Sequence, residues 1–94
     1  MVLKHPLDND AAKRLIVQIL KTGTVSFSRH ALEEMEKDNL TTVDGANVLR
    51  GLVEFCEEIN RTWRYRVRTT RMTFVVAFRS ETALTVVTAW RKLK

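Results

Sequence analysis

The chain has 94 residues and carries 16 Lys and Arg against 11 Asp and Glu, which gives a formal charge of +5. Its length suits one domain with a small core and excludes a second catalytic domain or a large cofactor fold, so we predict a single domain over residues 1–94. Cys56 is the only cysteine, which excludes an internal disulfide and a metal site built on paired cysteines.

The first predicted helix spans about residues 10–22. Its apolar side chains recur at the spacing of one helical stripe, a polar residue within 8–10 is placed to cap its start, and Gly23 follows its end. Residues 24–27 are predicted to form a short extended piece between this helix and the next.

Two shorter helices are predicted after the extended piece. Ser28 is placed to cap a helix over Arg29–Lys37, which turns its apolar side chains inward and its glutamates outward. A third helix begins at Thr41, where Asp44 supplies the second half of a capping box, and Gly51 ends it. The first half of the chain is therefore predicted to be mainly helical.

From residue 52 onward the hydrophobic period changes from 3.6 to 2, and β-branched and aromatic residues dominate. Short connections between the segments favour an antiparallel meander. The predicted strands are Leu52–Glu58, Thr62–Thr69, Met72–Arg79 and Ala83–Arg91. We therefore predict an α+β fold, in which the N-terminal helices pack on one face of a C-terminal antiparallel four-stranded sheet.

Alternation divides the last three strands into two chemically different faces. The bulky face is predicted to pack on the helices and holds Trp63, Tyr65, Val67, Met72, Phe74, Val76, Phe78, Leu84, Val86, Thr88 and Trp90. The other face combines small residues with five arginines, which are Arg64, Arg66, Arg68, Arg79 and Arg91. Tyr65 and both tryptophans are therefore assigned to the core.

The turn lengths predict how these strands are aligned. A two-residue turn at 70–71 places Arg66 opposite Val75, and a three-residue turn at 80–82 places Val75 opposite Val87. Both alignments keep the arginines and the small residues on one face of the sheet.

Positive charge is concentrated in the second half of the chain. Residues 61–94 hold nine cations and one acid, Glu81, whereas residues 1–60 hold seven cations and ten acids. Like charges gathered in one patch destabilise a fold unless an anion or an acidic partner occupies the patch, and the arginine fork suits phosphate. The pattern favours an anion-binding face. The alternative is a solvated face whose arginines only hinder association through a sheet edge.

Three segments of the chain resemble a known family. They are Phe27-Ser28-Arg29-His30-Ala31-Leu32-Glu33-Glu34-Met35, the helix end Val48-Leu49-Arg50-Gly51, and the strand end Thr88-Ala89-Trp90-Arg91-Lys92. Together they resemble the small DUF4258 proteins and, more loosely, the MqsR-type toxins of the RelE/ParE superfamily. The resemblance implies a RelE-like domain, the toxin of a bacterial type II toxin-antitoxin system, which cleaves mRNA without a metal or another cofactor. It also implies a cognate antitoxin as partner, and complementary charge predicts that this partner is acidic.

The resemblance and the arginine pattern together suggest site residues. In such ribonucleases a 2′-hydroxyl attacks the adjacent phosphate, and basic or polar side chains transfer protons and stabilise charge. Arg91 stands where the MqsR pattern has a basic residue, Arg64 stands where it has a glutamine, and Thr73 or Phe74 replaces its tyrosine. The predicted catalytic residues are His30, Arg64, Arg66, Arg68 and Arg91, and the predicted nucleic-acid contacts are Arg71, Arg79, Lys92 and Lys94.

His30 is the candidate for proton transfer, because arginine hardly loses its proton near neutral pH. The alternative is a structural histidine that bonds to the backbone or to Glu33 or Glu34. Its spacing to these glutamates could also give two ligands to a metal, but the sequence shows no third ligand. Cys56 is expected to be a buried small hydrophobe.

Two other functions fit the same arginine pattern. One is a non-catalytic module that grips nucleic acid or an acidic protein surface, and the other is a ParE-like toxin that acts on a topoisomerase. The uncharged runs of the basic half, among them residues 72–78, are too short to span a bilayer, and the N-terminus has no apolar stretch of signal-peptide length. We therefore expect a cytoplasmic protein with no membrane partner.

Overall fold

The computed structural model describes residues 6–91, without the side chain of Phe55. The elements in chain order are α1 (Asn9–Thr22), β1 (Thr24–Phe27), α2 (Arg29–Lys37), α3 (Thr42–Leu49), β2 (Leu52–Ile59), β3 (Thr62–Arg68), β4 (Met72–Ser80) and β5 (Ala83–Arg91). No helix of the described part of the chain is long and apolar enough to cross a membrane.

Polar side chains fix the first turn of each helix. The Asp8 carboxylate accepts a hydrogen bond from the Ala11 amide at 2.7 Å, so Asp8 is the residue that caps α1. Thr41 and Asp44 form the predicted capping box of α3, each side chain accepting from the backbone amide of the other residue. These bonds satisfy amides that have no partner within the helix itself.

The sheet differs from the prediction in strand number and in strand direction. Within residues 6–91 it has five strands in the order β1-β5-β4-β3-β2, and β1 runs parallel to β5. The prediction of an antiparallel four-stranded sheet was therefore wrong. Residues 24–27, expected only as an extended piece, form this fifth strand, and backbone bonds from Thr24 to Thr82 and from Ser28 to Val86, both 2.9 Å, hold its two ends. The partner of β1 lies almost 60 residues away along the chain, so no turn signal announces the pairing.

The core lies between one face of the sheet, the helix face, and the three helices. Each helix contributes buried side chains, among them Ile16 from α1, Met35 from α2 and Leu49 from α3. They pack on strand residues that share this face: Val53, Tyr65, Val67, Met72, Phe74, Val76, Phe78, Leu84, Val86 and Ala89. Tyr65 is fully buried, as predicted, and its hydroxyl accepts a hydrogen bond from the Leu7 amide at 2.9 Å.

The alignment of β3 with β4 is the predicted one, but the alignment of β4 with β5 is not. Arg66 lies opposite Val75, whereas Val75 lies opposite Thr88 instead of Val87. The cause is a β-bulge, because Val76 pairs with Val86 and Val87 is left as an inserted residue. Every residue after Val87 therefore changes face relative to simple alternation.

The bulge reverses the predicted positions of the last residues of β5. Ala89 lies opposite Phe74 and is buried in the core, although alternation assigned it to the arginine face. Trp90 lies opposite Thr73 on the other face and is 37% exposed, so its assignment to the core was wrong. Arg91 lies opposite Met72, on the helix face.

Ser28 connects the start of α2 to this bulge. Its hydroxyl oxygen accepts from the Ala31 amide at 3.0 Å and caps the helix, as predicted. The same hydroxyl donates to the Val87 carbonyl at 2.5 Å, and the Ser28 amide donates to the Val86 carbonyl at 2.9 Å. One side chain therefore holds both a helix start and the carbonyl of the inserted residue.

We expect Ser28→Ala to lower the free energy of unfolding by about 1–2 kcal/mol, because the substitution removes the helix cap and the donor to Val87 together. Urea unfolding followed by circular dichroism measures the change. Ser80→Ala is the matched control, since Ser80 lies exposed beside the β4–β5 turn and its hydroxyl contacts Thr82. Equal stability of the two variants would contradict this expectation.

Candidate functional site

The face of the sheet that points away from the core, the outer face, is organised in rows across the strands. Each row is defined by residues that lie opposite one another in adjacent strands. One row is Leu52, Arg68, Thr73 and Trp90; the next includes Arg66, Val75 and Thr88; the third is Glu57, Arg64, Ala77, Thr85 and Ser26. Each row thus takes one arginine from β3 and one small residue from β4.

Small residues form the floor of the outer face. Val75 and Ala77 are 8% and 0% exposed, yet neither belongs to the core cluster beneath the helices. Their cover comes from neighbouring side chains of the same face, since Arg64, Arg66 and Trp90 stand in the adjacent strands. Long arginine stems bury apolar surface in this way while their guanidinium groups stay near water. Within residues 6–91, the three helices all contribute their buried side chains to the opposite side of the sheet.

Arg66 and Trp90 form a stacked pair on this face. The Arg66 guanidinium carbon lies 5.4 Å from the centroid of the Trp90 ring, within the range of a cation–π interaction. Trp90 remains 37% exposed, so part of its surface is accessible to a ligand. Sequence reasoning missed this pair, because unbroken alternation placed Trp90 in the core.

Carboxylates from β2 offset part of the arginine charge. Glu54 accepts from Nε of Arg68 at 2.6 Å, and Glu57 lies opposite Arg64 in the strand register. The expectation of an arginine face with almost no paired carboxylate was therefore wrong, because it sorted only the last three strands into faces. Alternation along β2 could have placed Glu57 on this face, but Glu54 reaches it at a second β-bulge, which the pattern does not show.

Arg79 completes the charged groups of the outer face. Its Nε donates to the Thr85 hydroxyl at 3.0 Å, and that hydroxyl lies 2.9 Å from the Ser26 hydroxyl. Four arginines (Arg64, Arg66, Arg68 and Arg79) and two carboxylates (Glu54 and Glu57) thus stand on the outer face, which leaves it an excess of two positive charges.

Two other predicted site arginines gather at a different place. Arg71 donates from Nε to the Asp38 carboxylate at 3.0 Å and from a terminal nitrogen to the Asp38 carbonyl at 3.2 Å. Arg91 donates to the other carboxylate oxygen of Asp38 at 3.2 Å. Asp38 follows the last residue of α2, so this Asp38 cluster lies on the helix side of the sheet. The prediction that Arg91 shares a face with Arg64, Arg66 and Arg68 was therefore wrong, for the same reason as for Trp90.

The remaining predicted site residues stand apart from the outer face. His30 is exposed in the first turn of α2, a helix whose buried side chains pack on the helix face. The sheet thus separates His30 from the arginines of β3. Lys92 and Lys94 lie outside the described residues. Within residues 6–91, no group of three or more His, Cys, Asp or Glu side chains is placed to hold a metal ion.

The Asp38 cluster makes stability depend on pH. The hydrogen bond from Arg71, reinforced by Arg91, holds the pKa of Asp38 below its ordinary value of 3.8. A group whose folded pKa is depressed stabilises the fold above its unfolded pKa, and this contribution is lost as the pH falls through the folded pKa. We therefore expect Asp38→Asn to lower the free energy of unfolding at neutral pH and to flatten its fall below about pH 4.

Urea unfolding at a series of pH values measures this effect. Glu36→Gln is the control, because Glu36 is an exposed carboxylate of the same helix whose loss leaves the bonds of Asp38 to Arg71 and Arg91 in place. A pH profile of Asp38→Asn that matches the wild-type profile would contradict the assignment.

Comparison with known proteins assigns no function to the outer face or to the Asp38 cluster. Family models, curated proteins and solved structures were compared with the chain, and none of them matches it. The toxin family named from the sequence therefore remains a prediction, and the arrangement of the outer face is the observation on which a function rests.

Proposed function

We propose that the protein binds single-stranded RNA on the outer face of its sheet. The observation that carries this proposal is the exposed Trp90 ring stacked with Arg66, whose row lies between the rows that hold Arg64 and Arg68. Proteins that hold single strands combine a cationic surface along the backbone with aromatic rings on which bases stack. The outer face offers both elements above a floor of small residues.

The arginines of β3 have a regular spacing that suits a sugar-phosphate backbone. Arg64, Arg66 and Arg68 are two residues apart, so their Cα atoms follow one another at about 6.6–6.8 Å along the strand. This is close to the separation of successive phosphates in an extended single strand. Guanidinium groups bind phosphate oxygens through paired hydrogen bonds. The strand direction of β3 therefore defines the path of the RNA.

Trp90 supplies the second element of single-strand recognition. It lies in the same row as Arg68 and diagonal to Arg66, beside the path of the backbone. A base that stacks on such a ring contributes about 1–3 kcal/mol, without strong preference for one base. The surface thus suits unpaired nucleotides, whose bases can unstack from one another and stack on the ring instead.

We extend the proposal to cleavage of the bound RNA, as the toxin of a bacterial type II toxin-antitoxin pair in the cytoplasm. The arginines around Ala77 support this extension, because fixed positive charge stabilises the additional negative charge of a phosphorane-like transition state. In this proposal the 2′-hydroxyl is the nucleophile and no metal takes part. An acidic antitoxin segment would inhibit the toxin by covering the same outer face.

A non-catalytic RNA-binding protein is the second candidate. The observation that favours it is the position of His30, which lies on α2 across the sheet from the arginines of β3. Binding with strong salt dependence but without turnover would distinguish this candidate from the ribonuclease.

We expect Arg66→Ala and Trp90→Ala each to weaken binding of a labelled single-stranded RNA by about tenfold or more, since one loses a phosphate contact and the other a stacking contact. Fluorescence anisotropy at several salt concentrations measures affinity, and incubation of the RNA in EDTA measures cleavage. Arg91→Ala is the matched control, because it removes the same charge as Arg66→Ala from the strand that carries Trp90, but on the helix side.

Affinity that falls equally in all three variants would show a non-specific effect of charge or stability and would contradict binding on the outer face. Wild-type affinity in both Arg66→Ala and Trp90→Ala would contradict it as well. Circular dichroism confirms that each variant is folded before its affinity is compared.

A further inference from the structure

The third row of the outer face contains a carboxylate beside its arginine. Glu57 lies opposite Arg64, Arg64 lies opposite Ala77, and Ala77 lies opposite Thr85. Glu57 is partly buried and belongs to the edge strand β2. Resting on the proposed ribonuclease function, we propose that Glu57 is the general base of the reaction and that the scissile phosphate binds above Ala77.

Ala77 marks the position between two cations of the outer face. Its methyl group is the smallest side chain of the row and is fully buried, so the neighbouring side chains of the outer face close over it. Arg64 flanks it from β3, and the Arg79 guanidinium reaches Thr85 on its β5 side through the 3.0 Å hydrogen bond. Nε of Arg64 is buried and has no hydrogen-bond partner within the described residues, so an anion above the face would meet this guanidinium at its terminal nitrogens. A phosphate above Ala77 is thereby placed between Arg64 and Arg79.

The other groups that could act as a base are less suited by position. Glu54 is held by Arg68 at 2.6 Å, and Glu58 lies opposite Trp63, a residue packed against the core on the helix face. Tyr65 is fully buried, with its hydroxyl bound by the Leu7 amide. Among the carboxylates that the structure describes on the outer face, Glu57 is the one whose row also holds Ala77.

The reaction balances with these groups and water. The Glu57 carboxylate takes the proton of the 2′-hydroxyl as that oxygen forms a bond to phosphorus. Arg64 and Arg79 stabilise the negative charge on the phosphoryl oxygens. The bond between phosphorus and the 5′-oxygen then breaks, and water protonates the leaving oxygen. The products are a 2′,3′-cyclic phosphate and a 5′-hydroxyl end, and hydroxide left by that water recovers the proton from Glu57.

Glu57→Gln tests this assignment, because glutamine keeps the size of the side chain but cannot accept the proton. We expect its cleavage rate on a labelled single-stranded RNA to fall by about 100-fold or more. A DNA oligonucleotide of the same sequence, which has no 2′-hydroxyl, measures binding without cleavage, and its affinity should not decrease. Glu58→Gln is the matched control, since it removes the neighbouring carboxylate on the helix face and should leave the rate unchanged.

The outcomes separate this assignment from the proposed function. If the wild type cleaves the RNA and both Glu57→Gln and Glu58→Gln cleave it at the wild-type rate, the role of Glu57 is overturned and the ribonuclease function stands. Equal loss of rate in both variants would also overturn it, since that result indicates a general effect of charge. Binding by the wild type without cleavage would overturn the ribonuclease and, with it, the role of Glu57. Selective loss in Glu57→Gln, with a cyclic phosphate end on the wild-type product, supports the assignment.

Discussion

The β-bulge at Val87 decides which side chains of β5 lie on each face of the sheet. A hydrogen bond joins the Ser28 hydroxyl to the Val87 carbonyl. It ties the start of α2 to the bulge in β5, the strand that pairs with both β1 and β4. Because side chains alternate along a strand, one inserted residue decides which face every later side chain occupies. The bulge thus controls the chemistry of both sides of the sheet at the end of β5.

Two charged sites follow from this single inserted residue. After the bulge, Trp90 meets Arg66 on the outer face and Arg91 meets Asp38 on the helix side. Without the bulge the two residues would exchange faces, so the outer face would lose its aromatic ring and the Asp38 cluster would lose one cation. The same local feature therefore separates the surface proposed to bind RNA from a cluster that stabilises the fold.

Much of the fold could be predicted from local patterns, and the rest depends on contacts between distant residues. The bounds of α2 and the alignment of Arg66 with Val75 were predicted correctly, because caps and a two-residue turn are short-range signals. The pairing of β1 was not, since four residues without an adjacent hairpin carry no information about their partner. The bulge was not predicted because Val86, Val87 and Thr88 can each face either side of a sheet, so the sequence pattern does not show where a residue is inserted. The faces predicted for Trp90 and Arg91 were wrong for the same reason.

The most direct test is an NMR titration that observes the arginine Nε–H and tryptophan indole signals while single-stranded RNA is added. We predict shifts at the indole of Trp90 and at the outer-face arginines, which are Arg64, Arg66, Arg68 and Arg79. Arg71 and Arg91, which Asp38 holds, should change little. Shifts at Arg71 and Arg91, with the outer-face signals unmoved, would contradict RNA binding on the outer face.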